Sequence, residues 1–184
     1  MSKIVLFIGG ARSGKSACAE QYAARLSQRV VYIATAEAGD DEMRARIAQH
    51  RRRRPATWTT LEAPTAVAAA LANLEAGTVA LLDCLSLLVS NVLLAHEVEP
   101  AQAVDVEIAA LLATARERDL ILIVVTNEVG MGIVPAYPLG RAYRDLLGRA
   151  NQQVAAAADE VYLLVCGIPV ELRALEAAWA RATS

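Results

Sequence analysis

The sequence predicts an α/β protein: a doubly wound, mostly parallel sheet with helices on both faces. Short apolar runs recur at Ile4 to Ile8, Val30 to Ala34, Val79 to Leu82, Leu120 to Thr126 and Val161 to Val165, rich in Val, Ile and Leu without polar alternation. Strands buried on both faces read this way. Between them lie helix-length stretches: Lys15 to Leu26, Asp41 to about Arg53, Thr65 to Leu74, Leu85 to Leu94, Pro100 to Arg118 and Leu139 to Ala157. Alternating strands and helices are the signature of a parallel sheet wrapped by crossover helices.

The remaining segments fit that frame. The chain has 184 residues, 55% of them hydrophobic, which suits a single domain over 1–184. No repeat, low-complexity tract or linker divides it, and Glu97 to Gln102, with Pro100, is the best loop candidate. The Ala-rich tail Glu171 to Ala182 reads as a final helix packed on the outside, with Trp179 as a core residue. Val79 to Ala95 is the longest apolar region, but Asp83, Ser86, Ser90 and Asn91 interrupt it. A buried strand entering a helix is expected there, not a membrane span.

Charge and cysteines bound the partners. With 18 basic and 20 acidic residues the formal charge is −2, so no large basic surface for nucleic acid is expected and small molecules are the better partners. The three cysteines are far apart and form no Cys-x-x-Cys pair. They read as small buried residues in a reducing cytosol, hence a cytoplasmic protein. The run Ile4 to Ile8 is too short for the apolar core of a signal peptide.

Gly9-Gly10-Ala11-Arg12-Ser13-Gly14-Lys15-Ser16 matches G-x-x-x-x-G-K-[ST], and it stands after an apolar strand and before a helix, where the mechanism requires it. Glycines let backbone amides converge on phosphate oxygens, the helix N-terminus points its positive dipole end at them, and Lys15 supplies a mobile charge for the outer phosphates. Ser16 would hold Mg²⁺ through its hydroxyl. Arg12 is either a phosphate contact or solvent-facing. The sheet is therefore expected to be of the P-loop NTPase kind.

Asp83 ends the run Val79 to Leu82, which puts a carboxylate at the carboxyl end of a strand, where ligands bind in open α/β sheets. It resembles a Walker B aspartate and is a second candidate Mg²⁺ ligand; the alternative is a cap on the helix beginning at Leu85. Thr126, Asn127 and Glu128 end the next strand, facing the same crevice or forming a plain turn.

Asp40-Asp41-Glu42 opens a segment that closes with Arg51, Arg52, Arg53 and Arg54, a charge order that favours a helix through its dipole. In a helix Arg46 and His50 share a face. Neighbouring cations disfavour imidazolium, leaving His50 neutral and able to attack phosphorus, while the arginines bind anionic phosphate. A solvated helix with an incidental histidine is the alternative.

Taken together, Gly9 to Ser16, Tyr32-Ile33-Ala34-Thr35, Asp40 to Met43, Arg46-Ile47 with His50, Thr126 to Pro135, and Asn151-Gln152 with Ala155 to Glu160 resemble the bifunctional adenosylcobinamide kinase and adenosylcobinamide-phosphate guanylyltransferase family of cobalamin biosynthesis. The resemblance implies two reactions on one precursor. A nucleoside triphosphate, ATP or GTP, phosphorylates adenosylcobinamide; GMP then passes from GTP to adenosylcobinamide phosphate through guanylylated His50. It further implies a nucleotide site of the phosphate loop, Ala34, Thr35, Arg51 to Arg54, Glu62 and Asp83, and a homotrimeric assembly. A kinase without nucleotidyl transfer, a GTP-binding switch and a nucleic-acid ATPase share the phosphate loop, but Thr126-Asn127-Glu128-Val129 lacks the Asn-Lys-x-Asp guanine signature of switches.

Overall fold

A computed structural model describes residues 1–36, 54–96 and 98–181. The segment holding His50, Arg51, Arg52 and Arg53, with its expected helix, lies outside the described residues. In chain order the elements are β1 (Lys3–Gly9), α1 (Lys15–Leu26), β2 (Val30–Ala34), β3 (Thr59–Glu62), α2 (Val67–Ala72), β4 (Val79–Asp83), α3 (Leu85–Ala95), α4 (Pro100–Glu117), β5 (Ile121–Asn127), α5 (Pro138–Ala157), β6 (Glu160–Val165), β7 (Ile168–Glu171), a 3₁₀ turn (Arg173–Leu175) and α6 (Ala178–Arg181).

The seven strands form one sheet in the order β3-β2-β4-β5-β1-β6-β7. All neighbours are parallel except β6 and β7. Strand β5 thus lies between β1, which feeds the phosphate loop, and β4, which ends in Asp83. Every expected apolar run is a strand. Because successive residues face opposite sides, Ile4, Leu6, Ala80, Leu82, Leu122 and Val124 pack into one core layer. Val5, Phe7, Val79, Leu81, Ile123 and Val125 pack into the other. The first layer is closed by α2, α3, α4 and α5; the second takes Ala19 and Ala23 of α1, together with Trp58. Among the described residues no helix is long and apolar enough to cross a membrane.

Three expectations are corrected. The tail is not one helix: Glu171 ends an edge strand, a 3₁₀ turn follows, and Trp179 is 81% exposed, so it belongs to no core. The loop candidate Glu97 to Gln102 is shorter than expected, since Pro100 opens α4 in the first-turn position proline favours. Of the cysteines, Cys18 and Cys84 are half-buried and Cys166 is exposed, on a tight turn at φ 53°. Two strands, β3 and β7, are additional to the apolar runs.

Candidate functional site: a phosphate loop facing a strand-end carboxylate

The loop after β1 is held from both sides. The amide of Glu128, just past β5, donates to the Gly9 carbonyl at 3.0 Å, and the amide of Gly167, in the β6–β7 turn, donates to the Ser13 carbonyl at 2.9 Å. Glycine is obligatory at two loop positions. A Cβ on Gly9 would stand 2.6 Å from the Leu164 carbonyl oxygen. Gly14 takes φ 93° at the N-cap of α1, where a Cβ would meet the Gly167 Cα at 3.1 Å. With no side-chain cap on α1, its first amides and positive dipole end are directed at the loop. Lys15 is buried, and its Nζ donates to the Gly10 carbonyl at 3.0 Å, so the ammonium is folded over the loop it serves. Gly10, Ala11 and Arg12 are exposed, and Arg12 adopts φ 57°.

Asp83 is not the cap of the next helix. The N-cap of α3 is Cys84, and no side chain bonds its amides. The carboxylate is used elsewhere: Oδ1 accepts from the Ser16 hydroxyl at 3.4 Å, and Oδ2 accepts from the Tyr32 hydroxyl at 2.8 Å. Burial, then the nearby Asp83 charge, holds the Tyr32 phenol well above the ordinary range, so it stays a donor. The Cys84 thiol beside it is raised, chiefly by burial.

The pairing register puts further expected residues in the same row. Ala34 is the ladder partner of Asp83 on one side and of Glu62 on the other. Glu62 is exposed on edge strand β3, two strand spacings from Asp83, or roughly 10 Å. Thr35 is fully buried, and its hydroxyl donates to the Cys84 carbonyl at 2.8 Å while accepting from the Cys84 amide at 2.9 Å. It ties the end of β2 to the end of β4 and has no surface left for a ligand. Arg54 lies over the Tyr32 ring, its Cζ 3.5 Å from the centroid, and donates to Thr60 Oγ1 at 3.2 Å.

Beyond β5, the three polar residues divide. Thr126 is buried and donates to Asn151 Oδ1 on α5 at 2.7 Å, which makes it a strut and not a crevice residue. Asn127 turns instead to α3, where its Nδ2 donates to Ser86 Oγ at 2.9 Å. Glu128 accepts from the amide of Gly130 and shapes its own turn. Tyr32, Ser86 and Asn151 carry much of this network without a role assigned from sequence. The available signal was that each is a polar side chain in or beside an apolar run, which burial obliges to find a partner.

Ser16 and Asp83 offer one hydroxyl and one carboxylate, hard oxygens that suit Mg²⁺, and Mg²⁺ usually takes one or two protein ligands and completes its shell with phosphates and water. Consistent with such a sparse set, no group of three or more His, Cys, Asp or Glu gathers for a metal among the described residues. This donor set fits a nucleotide-bound Mg²⁺.

Residues 5–172 match the family model described as cobinamide kinase / cobinamide phosphate guanyltransferase. The chain is 47% identical over 169 residues to the bifunctional adenosylcobalamin biosynthesis protein CobP of Pseudomonas aeruginosa, covering 91% of this chain and 96% of that protein. It is 43% identical over 181 residues to the bifunctional adenosylcobalamin biosynthesis protein CobU of Escherichia coli, covering 92% and 99%. In fold alone it is similar to the RadB recombinase, at a TM-score of 0.51 and 14% identity, over 88% of this chain and 73% of that one. A phosphate loop facing a strand-end carboxylate, on a parallel sheet that matches this family model along nearly its whole length, makes the chain an enzyme belonging to the cobinamide kinase / cobinamide phosphate guanyltransferase family.

Proposed function

We propose that this enzyme phosphorylates the aminopropanol hydroxyl of adenosylcobinamide and then transfers GMP from GTP to the new phosphate, giving adenosylcobinamide-GDP and pyrophosphate. The observation that carries the first half is the Ser16 hydroxyl facing the Asp83 carboxylate at 3.4 Å, beside a buried Lys15. ATP or GTP lies with its outer phosphates in the Gly9 to Ser16 loop. Bound there, Mg²⁺ would supply charge neutralisation on the phosphate oxygens. Lys15 leaves its Gly10 carbonyl for the outer phosphates and stabilises negative charge as the phosphoryl group passes to the alcohol, so positioning and electrostatics do most of the work.

For the second half, His50 attacks the α-phosphorus of GTP. A nitrogen–phosphorus bond forms, the bond to the bridging oxygen breaks, and pyrophosphate leaves. A phosphate oxygen of the acceptor then attacks the same phosphorus and releases the imidazole. Arg51 to Arg54 keep His50 neutral and bind phosphate oxygens; Glu62, Ala34 and Thr35 complete the nucleotide site, with Thr35 acting through the Cys84 backbone. The protein works in the cytoplasm as a homotrimer.

The test is the intact mass of the purified protein after GTP and Mg²⁺, beside His50→Ala. A GMP-sized gain that is acid-labile, alkali-stable and absent from the variant is the expected result. Wild type that binds GTP without any mass gain would leave a kinase alone.

A further inference from the structure

Tyr32 is 4% exposed and stands within β2 on the α1 side of the sheet. Its two ends do different things. The hydroxyl donates to Asp83 Oδ2 at 2.8 Å, while the other oxygen of that carboxylate takes the Ser16 hydroxyl at 3.4 Å. A carboxylate bonded through one oxygen only can still turn about its last torsion; one bonded through both has a fixed plane. The ring face, meanwhile, carries the Arg54 guanidinium at 3.5 Å. That guanidinium also donates to Thr60 Oγ1, and Thr60 is the ladder partner of Tyr32 on β3. The cation therefore lies across a neighbouring strand pair, over an aromatic face that attracts it.

We infer that Tyr32 is the positioning residue of the nucleotide site: its hydroxyl fixes the Asp83 carboxylate toward Ser16, and its ring presents Arg54 to the phosphates. One side chain would thus set the spacing between the group that holds the cation and a group that holds the anion, although they come from different segments of the chain. The inference rests on the reading above, in which Ser16 and Asp83 take Mg²⁺ and Arg54 belongs to the nucleotide site.

The two ends of Tyr32 can be separated by substitution. Binding of a fluorescent GTP analogue to the full chain is measured with Mg²⁺ and with EDTA, for wild type, Tyr32→Phe, Tyr32→Leu and Arg54→Ala. Tyr32→Phe keeps the ring, so affinity in EDTA stays within about twofold of wild type, while the gain on adding Mg²⁺ falls about tenfold, the effect of one lost bond to a charged group. Tyr32→Leu and Arg54→Ala each lower affinity in EDTA about fivefold through the lost cation–π contact, and Arg54→Ala keeps the wild-type Mg²⁺ gain. The inference is overturned if Tyr32→Phe keeps the full Mg²⁺ gain, or loses affinity equally with and without Mg²⁺, as a packing defect would. Wild type with no Mg²⁺ gain at all would be a different result, removing the cation reading and this inference together.

Discussion

The two faces of the sheet are built differently. On one, α2 to α5 cover the strands with a continuous layer of Leu, Ile and Val, among them the fully buried Leu71, Leu85, Ile108 and Leu111. On the other, α1 lies on the strands through Ala19 and Ala23, with Trp58 and a set of aromatic contacts filling the space beside it. Phe7 stacks on Tyr162 with ring centroids 5.0 Å apart and meets Tyr22 edge-on at 5.5 Å. Small residues let α1 approach closely but cover little area, and grooves of about 340 and 460 Å³ flank it, sharing Ala17 and Gln21. Among the described residues, then, one face is a thick core and the other is thin, and α1, whose N-terminus follows the phosphate loop, is the helix with a groove on each side.

That contrast predicts a separation of effects. Lys15→Ala on the thin face should slow the phosphoryl transfer about a thousandfold, worth about 4 kcal/mol of transition-state stabilisation, with the melting temperature nearly unchanged; steady-state kinetics and a thermal scan together check it. Ile108→Ala on the thick face should do the opposite, costing about 3 kcal/mol of stability by chemical denaturation while leaving KM for nucleotide unchanged. Ala23→Leu should cost about 2 kcal/mol by overpacking α1 against the sheet. If it is instead neutral, the thin face has more slack than its buried alanines indicate.

The smallest expected effect concerns the foot of the thin face. Glu160 pairs with Lys3 and accepts from Tyr22 and Tyr162. Burial pushes its carboxyl up, but the bonds from Lys3, Tyr22 and Tyr162 outweigh that and hold it below its ordinary value of 4.5. A carboxyl lowered in the folded state contributes stability above its unfolded pKa and loses it as pH falls through the folded one. Glu160→Gln should therefore cost at most about 1 kcal/mol at pH 7, and its melting temperature should converge with wild type below pH 4.5.

Legibility followed burial. The strands that the sequence revealed are the interior ones, whose two covered faces demand unbroken apolar runs. Strands β3, Thr-Thr-Leu-Glu, and β7, Ile-Pro-Val-Glu, are edge strands with no such demand. Proline is tolerated in β7 because an edge has unpaired positions. Trp179 misled for the converse reason: a large apolar side chain favours burial, but the short helix α6 that carries it leaves it exposed. Within the site, Gly9 to Ser16 and Asp83 were legible because backbone geometry and strand-end position are local properties. The Tyr32, Ser86 and Asn151 contacts were not, since their partners lie 51, 41 and 25 residues away.

The parallel sheet, the phosphate loop and the family can be read without coordinates, because hydrophobic period, glycine placement and motif spacing are written residue by residue. It is the packing of the whole chain that sets the Ser16 and Tyr32 hydroxyls on the two oxygens of one carboxylate and turns Thr126 to Asn151 and Asn127 to Ser86. Those depend on strand order and register, with β5 set between β1 and β4. Pairings between distant segments are selected by the packing of the whole sheet and leave no local pattern to read.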